Sequence, residues 1–281
     1  MLADLRVPDW CPAAYHRDME FQVLGPLGVE DQGRAIPLGG PSERHLLAVL
    51  LCLANEPVSV ERLMDELWGE EPPASAKNVI QQYVSHVRRA LGDPKRLTTE
   101  PGGYVLHVED DEVDWHRFQG LVARSHDVRV PGQASELLAE ALNVWRGPAF
   151  AGAGHGPTVD AERTHLEEAR LAATEDRIDC DLRLGRHREL VAELDSLEAQ
   201  HPDRERLLGQ LMLALYRSDR QPEALRRYEQ YRQRLGEETG LEPSASLAEL
   251  ESRILTSDPD LDLPEGADLP ATNLPQRLSS V

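Results

Sequence analysis

The segment from Ser75 to Leu91 contains no aspartate or glutamate, in a chain whose acids number 50 against 30 lysines and arginines. Ile80, Val84, Val87 and Leu91 recur there at i, i+4, i+7 and i+11, one apolar stripe at helical spacing. Lys77, Gln81, Ser85 and Arg88 mark another side, flanked by Asn78, Gln82, His86 and Arg89. Such a segment buries one helix face and turns a polar, basic face outward. Lys95 and Arg96 follow, with Asp93 the one acid from Ser75 to Leu97. The formal charge of −20 argues against a surface coated in nucleic acid. The local reversal of sign therefore gives an orienting field, in which one helix approaches phosphate while the rest is repelled.

The surroundings of this helix fix its context. Phe21, Val23 and Leu24 open a strand-like stretch broken by Gly25-Pro26, and Ala35, Ile36 and Leu38 make a second short strand after a polar turn. Pro41-Ser42-Glu43 starts a first helix, with Leu46, Leu47, Leu50, Leu51 and Ala54 as its buried stripe. Ser59 caps a second, whose apolar face is Leu63, Met64, Leu67 and Trp68. After the basic helix, RLTTE, a Pro101-Gly102-Gly103 turn and YVLHV read as a β-hairpin over Arg96 to Val108.

From Glu109 the texture is helical throughout. Segments Asp114 to Ser125, Ser135 to Trp145, Val159 to Leu184, His187 to Gln200, Asp203 to Arg217, Pro222 to Glu238 and Ala245 to Leu255 are separated by Gly and Pro breakers. GRHREL at 185–190 matches DRQPEA at 219–224, pairing Arg186 with Arg220 and Glu189 with Glu223. That offset is the period of tetratricopeptide helix-turn-helix repeats. Residues 258–281, rich in proline and acid, read as a disordered tail, and residues 1–19 as a loose leader.

Several function classes drop out. The longest apolar run, Leu46 to Ala54, falls well short of the roughly 20 residues that cross a bilayer. The first 19 residues lack the apolar core of a signal peptide. Cys11, Cys52 and Cys180 are far apart and form no CxxC, so neither a zinc ribbon nor a disulfide framework is encoded, and the expected compartment is the cytoplasm. The histidines show no HExxH, and neither GxSxG nor GxGxxG occurs, so no catalytic residue, metal or cofactor is expected.

FQVLGPL at 21–27, ELWGEEPPASAKNVIQQYVSHVRRALG at 66–92 and PGGYVL at 101–106 resemble the amino-terminal domain of Streptomyces antibiotic regulatory proteins, the AfsR/DnrI/RedD group. VDWHRF at 113–118, ALNVWRGPAF at 141–150 and EALRRYEQYRQRLGEETGLEPSASL at 223–247 resemble that family's bacterial transcriptional activator domain. The resemblance covers about residues 20–257. It implies a mainly α chain, with an OmpR-like winged helix-turn-helix bearing small β-sheets at 20–108. An all-α, tetratricopeptide-like repeat domain follows at 109–257. The implied function is sequence-specific transcriptional activation of antibiotic genes, on direct-repeat promoter sites near the −35 element. A homodimer on double-stranded DNA would recruit RNA polymerase through its sigma or alpha subunits.

In that frame the basic helix is a major-groove element. Asn78, Gln81 and Gln82 suit adenine edges, Arg88 or Arg89 guanine or phosphate, and Lys77, Ser85 and His86 share the face. The hairpin is the wing, with Arg96, Thr98 and Thr99 placed for phosphate and Gly102-Gly103 letting backbone approach the duplex. Arg44 is a further phosphate candidate, and Tyr104 is read as wing packing. The Arg226, Arg227, Arg232, Arg234 run is interleaved with Glu and reads as a paired, solvated face.

Two other readings stay open. One is a helical-repeat adaptor whose winged helix binds protein. The other is the truncated front end of a larger nucleotide-binding regulator, because ATNLPQRLSS at 271–280 resembles the lead-in to such a domain while no GxxxxGK[ST] occurs. The few residues before Glu20 leave no room for a receiver domain, so control by aspartyl phosphorylation in cis is not expected.

Overall fold

The computed structural model describes residues 19–263. The expected leader up to residue 18 and the expected tail from 264 onward lie outside the described residues. Contacts divide the chain into two compact units, one running through Gly120 and including Asn143–Ala169, the other formed by Leu121–Leu142 with Arg170 onward.

In the first unit, β1 (Met19–Gln22), β2 (Gly28–Asp31) and β3 (Arg34–Ala35) form an antiparallel sheet in that order, with Phe21 opposite Val29. Gln32 and Gly33 join β2 to β3, both at positive φ (48° and 74°), the conformation of a type I′ hairpin turn. Three helices follow: α1 (Pro41–Cys52), α2 (Val60–Trp68) and α3 (Ala76–Leu91). Pro41 sits where its missing N–H costs nothing, and the Glu43 carboxylate takes the Gly40 N–H at 3.1 Å. Ser59 caps α2 by accepting the Arg62 N–H at 3.1 Å. Gly92, in the left-handed region, ends α3.

The expected stripes meet in one core: Leu46, Leu47 and Leu50 of α1, Leu63 of α2, and Ile80, Val84 and Val87 of α3 are all buried. Each such side chain contributes roughly 1.5–3 kcal/mol. On α2, however, Met64, Leu67 and Trp68 are only half-buried, and the second buried residue is Glu66. β4 (Leu97–Glu100) and β5 (Gly103–Leu106) form the hairpin. Val58 joins it as a third rung, exchanging two 2.9 Å backbone hydrogen bonds with Tyr104.

The same unit incorporates later sequence. Residues 23–27 run against 146–151 in a backbone ladder: Arg146 N–H to Leu24 O (2.8 Å), Phe150 N–H to Val23 O (2.9 Å), Ala151 N–H to Gly25 O (2.9 Å) and Leu27 N–H to Ala151 O (3.0 Å). Asp114, almost wholly buried, accepts the N–H groups of Val23 and Leu24 at 2.9 and 3.1 Å and the Arg146 guanidinium at 2.5 Å. Gly25 is required here: its φ is +152°, and a Cβ would stand 2.9 Å from the Arg146 Cβ. Glu66 receives the Thr158 N–H at 3.1 and 3.2 Å and the Thr158 hydroxyl, a carboxylate at the start of a helix.

Beside this joint His45 is buried, and its Nε2 has no hydrogen-bond partner among the described residues. Burial pushes its pKa down, against an opposing pull from Glu66 and Asp160. A lowered histidine pKa means that the unfolded chain binds the proton more readily. Stability is thus fully present above the unfolded value of about 6.5 and is lost as pH falls below it. The urea midpoint is expected to drop between about pH 7.5 and about pH 5.5, and His45→Leu to shallow that slope. Equal slopes in the two proteins would exclude His45 as a contributor.

The second unit is all-helical. It takes in the second half of α4 (Asp114–Asp127), most of α5 (Pro131–Asn143), the latter part of α6 (Pro157–Arg183), and α7 (His187–Gln200), α8 (Glu205–Arg217), α9 (Gln221–Thr239) and α10 (Ala245–Leu255). α8 is the central helix: Leu207, Leu208, Leu211, Met212, Ala214 and Leu215 are buried. They pack with Ile178, Leu194, Tyr228 and Ile254 from its neighbours.

The internal repeat has a geometric counterpart. Gly185 and Asp219, at equivalent positions, both adopt positive φ (79° and 62°). The Arg186 N–H then bonds Asp181 O at 3.0 Å, and the Arg220 N–H bonds Leu215 O at 2.9 Å. Order also continues past residue 257: a 3-10 turn spans Pro259–Leu261, and Leu261 is buried in this core. No described helix is long and apolar enough to cross a membrane.

Candidate nucleic-acid interface

α3 presents the face that its sequence implies. Lys77, Asn78, Gln81, Gln82, Ser85, His86 and Arg89 are exposed above the buried Ile80, Val84, Val87 and Leu91. Five of them, Asn78, Gln81, Gln82, Ser85 and Arg89, have side chains with no hydrogen bond or ion pair among the described residues. Their donors and acceptors stand ready for an external partner. Lys77 makes a 3.5 Å pair with Glu61, two largely exposed groups worth little to each other. His86 Nδ1 lies 3.1 Å from Glu43 on α1.

Arg88 differs from Arg89. It is half-buried, its Nε donates to Leu97 O at 2.6 Å, and its Nη2 donates to Thr99 Oγ1 at 2.7 Å. Its guanidinium lies 5.7 Å from the centre of the Tyr104 ring, within range of a cation–π contact. Arg88 therefore ties α3 to the hairpin, and Tyr104 is buried beneath it as wing packing.

Apart from Gly102, the remaining candidates are also engaged within the fold. Arg96 forms a bidentate pair with Glu112 (2.6 and 2.5 Å), which explains why this half-buried cation is held. Thr98 Oγ1 contacts Glu100 at 3.1 Å and His107 Nε2 at 2.9 Å. Arg44 Nη2 donates to Leu27 O at 2.6 Å. Gly102, at φ +113°, is exposed at the hairpin tip with Pro57 the nearest neighbour. Gly103 serves an internal close approach: at φ +149°, a Cβ would lie 1.9 Å from Val58 O. Lys95, exposed between α3 and β4, extends the positive face beyond the candidates named from sequence. Its charge was the available signal.

The Gly103 geometry makes a prediction. Gly103→Ala must push the hairpin from Val58 and is expected to cost at least ~2 kcal/mol in chemical denaturation. Gly102→Ala, whose Cβ would meet only Pro57 at an ordinary contact distance of 3.6 Å, is expected to cost about 1 kcal/mol for its positive φ. Equal losses would show that the Val58 contact does not hold the hairpin in place.

The comparisons with known proteins follow this architecture. A family model described as Bacterial transcriptional activator domain matches residues 113–255, and one described as Transcriptional regulatory protein, C terminal matches residues 33–106. Regulatory protein DnrI of Streptomyces peucetius is 39% identical over 90% of this chain and 97% of its own length. Regulatory protein AfsR of Streptomyces griseus is 43% identical over 90% of this chain but only 26% of its own length, so the chain spans about a quarter of that relative. The solved structure of Mycobacterium tuberculosis EmbR in complex with low affinity phosphopeptide superposes with a TM-score of 0.80 at 34% identity. It covers 89% of this chain and 67% of that one. Both matched models describe transcriptional regulators rather than enzymes. The chain belongs to the Streptomyces antibiotic regulatory protein family, in which an OmpR-like winged helix is followed by a bacterial transcriptional activator domain.

Proposed function

We propose that this chain is a sequence-specific, DNA-binding transcriptional activator that inserts α3 into the major groove of promoter DNA with the β4–β5 hairpin alongside. One observation carries the reading: an exposed row of Asn78, Gln81, Gln82, Ser85 and Arg89, unpartnered among the described residues, on an acid-free helix held over an apolar core. Amide side chains can read adenine edges and an unpaired guanidinium can read guanine, whereas a merely solvated face has no need of such an array. In this reading two protomers occupy direct repeats, the repeat domain engages RNA polymerase through its sigma or alpha subunits, and the targets are secondary-metabolite genes. The protein would then act in the cytoplasm, on the nucleoid.

Footprinting on promoters neighbouring the gene tests the proposal. The expected result is protection of two repeated half-sites, with affinity falling steeply as salt rises because bound phosphates release counterions. Binding to a partner protein, with no DNA protection above background, would favour the adaptor reading instead.

A further inference from the structure

We propose, resting on the DNA-binding reading above, that His86 is a phosphate contact on the α1 side of α3, made through Nε2 by the imidazolium form alone, and that Glu43 is the positioning residue that imposes this condition. At about 3.6 residues per turn, Asn78, Gln81, Gln82, Ser85 and Arg89 form one row along α3, and His86 and Arg88 flank it on opposite sides. Arg88 is tied to the hairpin through Leu97 O and Thr99. His86 is tied instead to the start of α1, its Nδ1 3.1 Å from Glu43 Oε1.

A helix lying in the major groove has a sugar-phosphate backbone on either side, and contacts to phosphate fix its register. On the His86 side α3 carries no lysine or arginine; the companions there are Val79, Tyr83 and Ala90. Arg44, next to Glu43 on α1, donates to Leu27 O at 2.6 Å. A backbone passing on this side therefore meets the Glu43 carboxylate unless a cation stands between them. His86 is the group in that place, its side chain 52% exposed against 15% for Glu43.

Counting protons gives the condition. Glu43 Oε2 accepts the Gly40 N–H at 3.1 Å while Oε1 faces the imidazole. Burial pushes the Glu43 carboxyl up, but hydrogen bonds from His86 and from the Glu43 and Gly40 N–H groups outweigh it and hold it below its ordinary value, so it is ionised at neutral pH. An ionised carboxylate only accepts, so the ring proton sits on Nδ1, and Nε2 of the neutral ring is a bare acceptor. Nε2 makes no hydrogen bond among the described residues. A phosphate oxygen also only accepts, so the contact forms when Nε2 takes up a proton from solvent. The ring is then an imidazolium between two anions, with a charge-assisted bond on each side. Imidazoles gain that proton between about pH 8 and about pH 5, so affinity for DNA rises as pH falls. The ionisable groups facing the ring are Glu43 from α1 and, one turn away on α3, Tyr83 and Arg89. His107, 3.5 Å from Glu100 on the hairpin, is a second histidine of the interface, so the part played by His86 is read as a difference between proteins.

The experiment measures the affinity of the full chain for the promoter fragment protected in footprinting, from about pH 6 to about pH 8 at fixed salt, for the wild type, His86→Gln and Glu43→Gln. At the acid end the wild type is expected to bind roughly tenfold more tightly than His86→Gln, and the two should converge at the alkaline end. Glu43→Gln keeps an acceptor for the Gly40 N–H but lets the neutral ring carry its proton on Nε2, so its profile should be flatter than that of the wild type. A role confined to capping α1 would lower affinity evenly at every pH. Imidazole nitrogen NMR of the free protein at the alkaline end should show the Nδ1–H tautomer of His86 in the wild type and a mixture in Glu43→Gln. Parallel profiles for the wild type and His86→Gln would overturn the contact. An Nε2–H tautomer in the wild type, or a Glu43→Gln profile parallel to it, would overturn the role of Glu43. A loss in His86→Gln confined to one base position, rather than even across altered half-sites, would overturn the phosphate assignment. A wild type that binds no promoter at any pH would sink the transcriptional reading itself, whereas parallel profiles in a protein that binds leave that reading standing.

Discussion

Replacing Arg89 with alanine is expected to lower affinity for a cognate promoter fragment by about 5- to 150-fold, the equivalent of the roughly 1–3 kcal/mol carried by one good base contact. Arg89 contrasts with its neighbour Arg88. Arg89 is exposed and unpartnered among the described residues, so its removal costs the folded protein within about ±0.5 kcal/mol. Arg88 is committed to Leu97 O, Thr99 and the Tyr104 ring. Arg88→Ala strands a carbonyl and loosens the wing, so stability falls by roughly 1–3 kcal/mol. Arg88→Lys does not restore it, because an ammonium cannot reproduce the forked donor geometry.

Gel shifts combined with urea denaturation separate the two roles. Arg89→Ala should move affinity alone, and Arg88→Ala should move stability. Salt titration then assigns the Arg89 partner. Loss of a phosphate contact weakens all sequences evenly and reduces the salt slope by about one, whereas loss of a guanine contact relaxes preference at one base position. Unchanged affinity of a folded Arg89→Ala protein would remove the exposed α3 face from DNA recognition.

The sequence pattern reached most of the helices because each is written locally. The stripe Ile80, Val84, Val87, Leu91 and the cap at Ser59 give element, face and start. Among the described residues, the seven α-helices after Glu109 lie close to where periodicity and breakers put them. α5 begins at Pro131 rather than Ser135 because proline, read as a breaker, is also a good first helical residue. The repeat offset survives as matched positive-φ residues, Gly185 and Asp219, an αL position that a glycine announces and an aspartate conceals.

What local patterning cannot show is pairing at long range. Residues 23–27 and 146–151 each look like a Gly-Pro loop, and only in three dimensions do they satisfy one another's backbone. Glu66 sits in a polar-looking DELWG stretch, yet it is buried because Thr158 needs an acceptor. The candidate interface divides in the same way. Residue type and helical phase locate the exposed amides and Arg89. The internal commitments of Arg88, Arg96, Thr98 and Gly103 depend on partners across the wing, which no spacing rule supplies.

Asp114→Ala is expected to produce the largest loss of stability, about 3 kcal/mol or more. The carboxylate is 2% exposed and receives two backbone N–H groups and the Arg146 guanidinium. Alanine leaves the Val23 and Leu24 N–H groups buried without an acceptor, and breaking a buried pair from one side typically costs 3–5 kcal/mol. Arg146 is 35% exposed and can turn to water, which places the expected value at the lower end. Arg146→Ala should cost less, since Asp114 keeps both backbone donors. A double-mutant cycle isolates the pair from the backbone contacts, with the Asp114 loss exceeding the Arg146 loss by the contribution of the two amides. Because the amides belong to the strand that meets 146–151, the unfolding transition of Asp114→Ala should begin at the β1–β2 sheet, read by early loss of amide protection at Val23 and Leu24. A deficit below about 1 kcal/mol would mean that the backbone ladder holds residues 23–27 against 146–151 without the carboxylate.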